Sequence, residues 1–425
     1  MQIIQKSLAE TLQFVARRTD TAANDPEIEA AVTAIITDVR QRGNAALIDY
    51  AAKFDGVTLT NLRVPQTAID EAYATANKDL IAALERAKAN IESYHKKEMR
   101  YGFVDAEQPG VFRGERVTAL AAAGVYVPGG TAAYPSSILM NVIPAKIAGV
   151  QRIVLVTPPQ KDGLSQVVLA AAKIAGVDEV YQIGGAQAIA ALAYGTETIP
   201  RVDKITGPGN IFVATAKKQV FGQVSIDMIA GPSEIGVIAN NAANPEYVAA
   251  DLLSQAEHDK RSRPMLVTPD LEFAQAVQEA IEAQLQTLPR EEIARASVEE
   301  QGFIAVMADI PACFTVMNAI APEHLEVQLP EAGQYLNQIQ NAGSVFLGFA
   351  ASEPLGDYIA GPNHILPTGG TSRFFSALGV DDFLKRTQFV SYTMDALRNE
   401  ADAITTLARA EGLEAHARAV DVRMK

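Results

Sequence analysis

Short β-branched segments alternate with alanine-rich segments through most of this chain. RIVLVTPP and EVYQIGG have the composition of buried strands, and the segments that follow them, SQVVLAAAKIAG and QAIAALAYG, have apolar residues at helical spacing. A second cycle of the same kind extends from EIGVIAN to SVFLGF. Strands that alternate with helices build βαβ units and mostly parallel sheets. The sequence therefore predicts an α/β fold with two parallel sheets.

The two ends of the chain depart from this alternation. From Asn24 to about Met99 the sequence is typical of helices: Asp25-Pro26 is a helix start signal, and one long helix is predicted from Ile69 to Tyr94. After about Gly379 the strand pattern fades into a helical tail. A tail of this length does not fold alone. We expect it, like residues 1–17, to dock on the main body or on a second subunit.

Charge and cysteine content exclude several classes of protein. The formal net charge of -14 repels phosphate backbones and anionic lipid surfaces, and no cluster of lysine or arginine opposes it. No apolar run is long enough for a signal-peptide core or a membrane span. The single cysteine, Cys313, cannot form an intrachain disulfide or a multi-cysteine metal site. We therefore expect a cytoplasmic protein that binds neither nucleic acid nor membranes.

Two motifs bring histidine together with other possible metal ligands. In LLSQAEHD, Gln255 and His258 are three residues apart on a predicted helix, so both project from one face. In GDYIAGPNHILPTGG, which is predicted to be a loop, Asp357 and His364 could bind a metal or a substrate. Each motif also has a simple structural interpretation. The first could be a solvated helix face, and the second a turn capped by the aspartate.

Two further motifs pair an acid with a histidine. In AEGLEAH of the tail, Glu411 and His416 are just over one helical turn apart. In APEHLEV, Glu323 and His324 begin a predicted strand and could serve successive proton transfers. Alone, each pair could be ordinary surface. Together, the imidazoles, a carboxylate and an amide oxygen of LLSQAEHD, GDYIAGPNHILPTGG and AEGLEAH form a ligand set that suits a borderline metal such as zinc and leaves positions open for substrate.

Four glycine-rich segments are candidates for an anion or nucleotide pocket. They are GVYVPGGTAAYPSS, QIGGAQAIA, ITGPGNIFVA and IAGPSEIGV, and the middle two lie where a predicted strand runs into a helix. Such turns direct free backbone N–H groups and a helix N-terminus toward an anionic ligand. None has the G-x-G-x-x-G pattern of a standard dinucleotide fold. Tight strand–helix turns without a ligand are therefore the alternative.

Eight segments occur in the order in which histidinol dehydrogenases carry such motifs: GVYVPGGTAAYPSSILMN, GGAQAIAALAYGTE, ITGPGN, DMIAGPSE, DLLSQAEHD, APEHLE, GDYIAGPNHILPTGGTSRF and EGLEAH. The chain resembles that family from end to end. The resemblance implies aldehyde-dehydrogenase-like, incomplete Rossmann-like α/β domains with small helical extensions at both ends. The implied division is an N-terminal extension at 1–17, a larger α/β domain of 18–125 with 233–378, a second α/β domain at 126–232, and a helical tail at 379–425.

The resemblance also implies roles for individual residues. Those that match the family's ligands for one zinc ion per subunit are Gln255, His258, Asp357 and His416. Those that match its catalytic pair are Glu323 and His324. The implied substrate contacts are Ser233, Gln255, His258, His324, Asp357, His364, Glu411 and His416, and the implied NAD contacts are Tyr126, Gln187 and Asn210. His95, in YHKKEM, receives no role, and we expect it to be solvated.

The activity implied by the resemblance is the oxidation of L-histidinol through L-histidinaldehyde to L-histidine with two NAD+, the final steps of histidine biosynthesis. The resemblance also implies a homodimer in which the tail of each chain reaches into the partner's site, so that His416 completes the zinc site across the interface.

Three alternatives stay open on the residues alone. A metal-dependent hydrolase could use the same His, Asp and Gln ligands, with Glu323 as general base and no NAD. A nucleotide-binding protein without catalysis would need only the glycine turns. Aldehyde oxidation through a thioester would need Cys313. The apolar helical context of that thiol, ADIPACFTVMNAI, favours a buried structural role instead.

The thioester alternative is testable by replacing the only thiol. We expect Cys313→Ala to retain the oxidation of L-histidinaldehyde, because no covalent intermediate on sulfur is then required. The measurement is the formation of reduced nicotinamide from the aldehyde by the purified variant and by the unsubstituted protein. Selective loss of this step in a folded variant would support the thioester route.

Overall fold

The computed structural model describes residues 1–19, 25–129 and 134–425. These residues form two compact units, which we call the main unit (Met1–Glu98 with Ala121–Phe383) and the minor unit (Met99–Leu120 with Leu384–Lys425). Part of the first glycine-rich segment, residues 130–133, lies outside the described residues, as does Asn24. No helix in the described ranges has the length and apolar character needed to cross a membrane.

The strands are short and lie mainly in the main unit. In chain order they are β1 (Gln2–Ile4), β2 (Phe103–Asp105), β3 (Val111–Ala119), β4 (Ala122–Tyr126), β5 (Arg152–Thr157), β6 (Glu179–Gln182), β7 (Lys204–Thr206), β8 (Ser225–Ile226), β9 (Glu234–Ala239), β10 (Arg263–Thr268), β11 (Phe303–Val306), β12 (His324–Gln328), β13 (Ser344–Leu347) and β14 (Leu384–Tyr392).

The α-helices fill most of the chain between the strands. In chain order they are α1 (Leu8–Thr19), α2 (Pro26–Arg42), α3 (Asn44–Tyr50), α4 (Gln66–Thr75), α5 (Lys78–His95), α6 (Pro135–Ala148), α7 (Gln166–Ala175), α8 (Gly185–Tyr194), α9 (Ile211–Val220), α10 (Pro245–Ala256), α11 (Leu271–Leu285), α12 (Glu291–Ala296), α13 (Ile310–Ile320), α14 (Glu353–Tyr358), α15 (Met394–Ala410) and α16 (Glu414–Asp421).

Two parallel sheets organise the main unit. One has six strands in the order β1-β11-β10-β9-β12-β13, and the other has five in the order β6-β5-β4-β7-β8. All neighbouring strands in both sheets run parallel. The predicted α/β class with two parallel sheets is confirmed, because the alternating segments of the sequence form strands and helices where the pattern places them.

The alanine-rich segments become buried helices because small side chains allow close packing on a sheet. Every residue of α8 from Ala186 to Ala193 is buried, and this helix packs against α2 and α9. A helix that is apolar on all sides is stable only inside a core. Val32 of α2 and Leu47 of α3 belong to the same core as α8 and the five-stranded sheet. The helical N-terminal segment therefore covers one face of that sheet.

The predicted single helix from Ile69 to Tyr94 is wrong, because the chain forms α4 and α5 instead. Ala76 is extended, with φ of -62° and ψ of 154°, which ends α4. Asn77 then begins α5 as its N-cap, and its side-chain oxygen accepts hydrogen bonds from the amides of Asp79 and Leu80. By contrast, the start signal Asp25-Pro26 is confirmed, since Asp25 caps α2 and Pro26 is its first residue.

The prediction that His95 is solvated is wrong, since its side chain is completely buried. His95 ends α5, and its Nδ1 lies 2.7 Å from Oε2 of Glu98. The same carboxylate oxygen accepts a hydrogen bond from the amide of Val380. The segment at 380–383 thus packs over the end of α5, a tertiary contact that a local sequence pattern does not show.

The two chain ends have different surroundings. Strand β1 extends the six-stranded sheet by pairing with β11, and α1 packs on α13. The C-terminal tail contains a strand that the sequence pattern does not predict. Strand β14 pairs antiparallel with β3 along Leu384–Tyr392, and β2 adds a third strand to this sheet. Residues 111–119 therefore pair with the tail, whereas the implied division places them in the larger α/β domain. The implied division into domains stays a prediction.

Candidate active site

A cleft of about 340 Å³, lined in part by polar and charged side chains, lies between the two parallel sheets of the main unit. On one side it is bounded by segments that follow the carboxyl ends of β4, β7 and β8, which is where ligands bind in open α/β sheets. On the other side it is bounded by residues at or just before the amino ends of β9 and β12. The carboxyl edge of one sheet therefore meets the amino edge of the other.

The predicted site residues of the main unit converge on two cavities. Those that line the cleft are Ser233, Gln255, His258, Glu323, His324, Asp357, His364 and Asn210. Those that line a neighbouring cavity of about 870 Å³ are Tyr126, Gln187 and again Asn210. The remaining two, Glu411 and His416, belong to the minor unit, where both are exposed in the single chain.

Glu323 and His324 stand where α13 turns into β12. Ala321 adopts a left-handed conformation with φ of 55° and ends α13. The two side chains are then fixed by one residue of the neighbouring strand. The Glu323 carboxylate accepts a hydrogen bond from the amide of Glu234 at 2.8 Å, and the Nδ1 of His324 lies 3.0 Å from the carbonyl oxygen of Glu234. The carboxylate and the imidazole are thus held side by side.

The second ring nitrogen of His324 lies beside Asp357. A proton on Nδ1 that is donated to the carbonyl of Glu234 leaves Nε2 as the acceptor of a neutral ring. Nε2 is buried without a hydrogen-bond partner among the described residues, and it lies 3.7 Å from Oδ1 of Asp357. This arrangement would allow Nε2 to accept a proton from a bound molecule.

The pKa values of Glu323 and His324 depend on burial and on neighbouring charges. Burial raises the pKa of Glu323 to about 7, although His324 opposes this shift. Burial lowers the pKa of His324, but the carboxylates of Glu323 and Asp357 outweigh it and raise that pKa above its usual value. A cation bound beside Asp357 would lower the pKa of His324 again and favour the neutral ring.

Asp357 lies in a helix, so its predicted place in a loop is wrong. It belongs to α14, which begins with Glu353 and has Pro354 in its first turn, a position that suits proline. Burial raises the pKa of Asp357, but the nearby imidazoles of His324 and His364 outweigh this effect and hold the pKa at about 2. The carboxylate is therefore ionised across the neutral range.

His364 does lie in the predicted loop, and its ring is fixed from two sides. Its Nδ1 is 3.0 Å from the carbonyl oxygen of Asp357, and its Nε2 is 3.3 Å from Oγ of Ser137. Burial lowers the pKa of His364, so the ring is neutral at physiological pH. A substrate that hydrogen-bonds to this ring would therefore replace Ser137 at Nε2.

Gln255 and His258 lie at the end of α10. Gln255 is in the last turn, where its side chain is buried and its Oε1 has no hydrogen-bond partner among the described residues. The prediction that His258 is helical is wrong. It follows α10 in a turn in which its amide donates to the carbonyl of Gln255 at 3.1 Å. Both side chains nevertheless line the same cleft, as does Asp357.

A second group of possible metal ligands shares only Asp357 with the predicted set. Donor atoms of His324, Glu353 and Asp357 lie within 4.8 Å of one another. Burial raises the pKa of Glu353 to about 8, so its carboxyl group is mainly protonated at neutral pH. A protonated carboxyl is a poor metal ligand. We therefore interpret Glu353 as the hydrogen-bonding support of Asp357 rather than as a ligand.

The neighbouring cavity has the features of a nucleotide pocket. The turns that precede α8 and α9 border it, and both are strand-to-helix turns as the sequence predicts. Tyr126 Oη accepts a hydrogen bond from the amide of Gly185 at 3.1 Å. Asn210 caps α9 by accepting from the amides of Phe212 and Val213. Backbone amides at two helix N-termini near one cavity favour an anionic ligand.

Several residues that line these cavities received no role from the sequence, and three of them have acidic or basic side chains that are buried or half-buried. Asp55 lines the larger one, and burial raises its pKa to about 6. Lys217 and Asp227 line the cleft and form a buried ion pair. The only sequence signal for Lys217 is a charged residue on the helix IFVATAKKQV, and Asp227 is marked only as the first residue of the motif DMIAGPSE.

The fold and the cleft define a class of protein: an α/β enzyme whose active-site cleft, with its acidic and histidine side chains, adjoins a nucleotide-sized cavity. A family model described as "Histidinol dehydrogenase" matches residues 17–424. A histidinol dehydrogenase of Lactiplantibacillus plantarum is 62% identical over 423 residues, which cover 100% of this chain and 99% of that protein. One of Listeria monocytogenes is 56% identical over 425 residues, which cover 100% and 99%.

A solved structure agrees with these relatives. The crystal structure of histidinol dehydrogenase from Elizabethkingia anophelis superposes with a TM-score of 0.94 at 39% identity, covering 100% of this chain and 98% of that one. The chain belongs to the histidinol dehydrogenase family.

The raised pKa of Glu323 predicts a pH-dependent effect of Glu323→Gln in protein treated with a chelator. The pKa of Glu323 is about 7 in the folded protein and 4.5 for an unperturbed glutamate. The free energy of unfolding of the wild-type protein therefore falls as the pH rises through this window. Gln cannot ionise. We expect the free energy of unfolding of the variant to rise relative to wild type by up to about 3 kcal/mol from pH 4 to pH 8.

The measurement is urea unfolding at several pH values. Glu279→Gln, at an exposed position of α11, is the matched control and should show no such trend. Equal pH dependence in the two variants would contradict the burial of an ionisable Glu323.

Proposed function

We propose that this protein oxidises L-histidinol through L-histidinaldehyde to L-histidine, with two NAD+ as hydride acceptors and one zinc ion per subunit. The observation that carries the proposal is the meeting of two cavities at Asn210 and Pro128, which line both. One cavity contains a potential base in His324, and the other has the size and the helix N-termini that suit a dinucleotide. Family membership supports the choice of substrate.

The residues of the larger cavity fit NAD. Its volume of about 870 Å³ is within the range of small-molecule sites. The side chains proposed to contact NAD are those of Tyr126, Gln187 and Asn210. Burial raises the pKa of Tyr126 to about 12, so its hydroxyl stays protonated at physiological pH. The hydroxyl and the two amides are uncharged groups that can hydrogen-bond a nucleotide.

The residues of the cleft also fit zinc. The unpartnered amide oxygen of Gln255, the imidazole of His258 and the ionised carboxylate of Asp357 line the same cleft, and this donor set suits a borderline metal. We propose these three as ligands, with His416 of the partner subunit as the fourth. Bound zinc would supply positive charge and open positions that orient the substrate's imidazole and amino nitrogens.

The proposed proton transfers use the two residues that Glu234 holds in place. His324 Nε2 takes the hydroxyl proton of L-histidinol while the hydride leaves its carbon, which gives the aldehyde. Glu323 takes a proton from water as the water oxygen adds to the aldehyde carbon, and the protonated His324 gives its proton to the former carbonyl oxygen, which yields the hydrate and a neutral imidazole ring. His324 then takes a proton from the hydrate as the second hydride leaves. Because Nδ1 is bound to a backbone carbonyl, Nε2 serves in both oxidations.

The thioester alternative has no structural support. Cys313 is completely buried in α13 among apolar residues, and among the described residues it lines neither of the two cavities. Burial raises the pKa of its thiol to about 12, so almost no thiolate is present at neutral pH. A hydrolase without NAD would leave the larger cavity without a use.

We also propose a cytoplasmic homodimer in which the minor unit of each chain completes the site of the other. Glu411 and His416 are exposed in the single chain. Leu407 of α15 and Val422, which follows α16, are exposed apolar residues of the same segment, at 66% and 58%. Apolar exposure of this kind supports contact with a second subunit.

The reaction itself is tested by its stoichiometry. We expect purified protein to form two NADH per L-histidinol consumed, to lose activity on chelation and to regain it when zinc is added. Glu323→Gln should slow the second oxidation more than the first, because the variant lacks the base that activates water. One NADH per substrate in the wild type would contradict the role of Glu323, and turnover without NAD would favour the hydrolase.

Tail exchange is tested by mixed dimers of two inactive variants, His416→Ala and His324→Ala. If His416 acts across the interface, a mixed dimer contains one site with both native histidines and should regain activity. If His416 acts within its own chain, every site in the mixed dimer lacks one histidine. Purification through two different affinity tags isolates the mixed dimer. An inactive mixed dimer that still binds one zinc ion per dimer would contradict tail exchange.

A further inference from the structure

Lys217 and Asp227 form an ion pair that no step of the proposed reaction uses. Their side chains are only 3% and 1% exposed, yet both border the cleft. Lys217 lies on α9, and Asp227 directly follows β8. Two opposite charges are therefore buried next to the place where the substrate cleft adjoins the NAD cavity.

This pair holds both backbone polar groups of Gly207. The amide of Gly207 donates to Oδ2 of Asp227 at 2.8 Å, and its carbonyl oxygen accepts from Nζ of Lys217 at 2.9 Å. Asp227 Oδ1 accepts in addition from the amide of Met228 at 2.6 Å. The peptide groups on both sides of Gly207 therefore cannot rotate without breaking a bond to a buried charge.

Gly207 begins the turn that separates the two cavities. Its φ of 109° is in the region that favours glycine, and a Cβ there would lie 2.1 Å from the carbonyl oxygen of Tyr126. Residues 207–210 all line the cleft, and Asn210 also lines the NAD cavity. The Asn210 side chain caps α9 at the far end of the turn. The turn is thus fixed at both ends.

Stability alone does not account for such a pair. Desolvation of two charges often cancels the attraction between them, and apolar residues of similar size are commonly as stable. What the pair adds is a fixed conformation of Gly207, because three backbone groups depend on it. Lys217 also shares α9 with the Asn210 cap, so one helix anchors both ends of the turn.

We propose that Lys217 and Asp227 are positioning residues that hold the turn 207–210 between the cofactor cavity and the substrate cleft, so that hydride transfer depends on the pair more than ligand binding does. This inference rests on the proposed dehydrogenase function. A displacement of about 1 Å in such a site can lower the rate of the chemical step about 100-fold.

The test is the double variant Lys217→Met/Asp227→Leu, which removes both charges and leaves neither buried alone. We expect kcat to fall about 100-fold, with less change in the KM for L-histidinol and for NAD+. The deuterium isotope effect on kcat should increase, because hydride transfer becomes slower relative to product release. Independently of activity, hydrogen exchange of the peptide 204–213 should become faster in the variant.

Lys204→Met/Asp382→Leu is the matched control. This pair has Nζ and Oδ1 2.6 Å apart, the Lys204 side chain is 7% exposed, and neither residue lines the two cavities. Lys204 stands in β7, just before the turn. We expect a lower melting temperature with wild-type kcat and isotope effect. If kcat falls as much in the control as in the test variant, Lys217 and Asp227 have a structural role only.

Asp227→Asn provides the isosteric second variant if the double variant does not fold. It keeps one acceptor but lacks the charge that holds Lys217, and we expect a smaller loss of kcat in the same direction. Wild-type kcat and an unchanged isotope effect in a folded variant would overturn the proposal. Absence of any L-histidinol oxidation by the wild type would instead overturn the proposed function.

Discussion

The parallel pairing of β9 with β12 is the constraint on which the candidate site depends. It places His324 opposite Ile235, one residue after Glu234, so the backbone of Glu234 meets the first residues of β12. Its amide then bonds to Glu323 and its carbonyl lies at Nδ1 of His324. The Glu234 side chain is buried as well and bonds to Arg263 and to the amide of Gly369. One residue thus links the sheet, the acid–base pair and the loop that follows His364.

The opposite orientation of the two sheets at the cleft explains how one site can bind two kinds of ligand. The carboxyl edge of the five-stranded sheet offers helix N-termini and glycine turns, which suit the phosphates of a nucleotide. The amino edge of the six-stranded sheet offers side chains at or before the first residue of a strand. These side chains, Ser233 and the pair at 323 and 324, reach the cleft while the strands behind them are buried.

The spacing of apolar residues along the chain explains which parts of the fold can be predicted from the sequence and which cannot. The alternation of strands and helices can be predicted because it depends on the spacing of apolar residues along the chain. Strand β14 is missed because most of its residues are exposed and no apolar face marks it. Asp357 is misplaced in a loop because the glycines and prolines after it obscure the short helix that ends at Tyr358. The burial of His95 and the pairing of Lys217 with Asp227 depend on tertiary contacts, which spacing cannot show.

A buried polar atom without a hydrogen-bond partner indicates a ligand site only where its residue also lines a cavity. His95 Nε2 is buried without a hydrogen-bond partner among the described residues, but it lines neither of the two cavities and so has no ligand to meet. Gln255 Oε1 and His324 Nε2 are equally unpartnered, and both residues border the cleft. Asp55 Oδ2 is unpartnered in a residue of the neighbouring cavity. A buried polar group without a hydrogen bond costs about 1–3 kcal/mol of stability. A bound ligand can supply the missing hydrogen bond or metal contact only to residues that line a cavity.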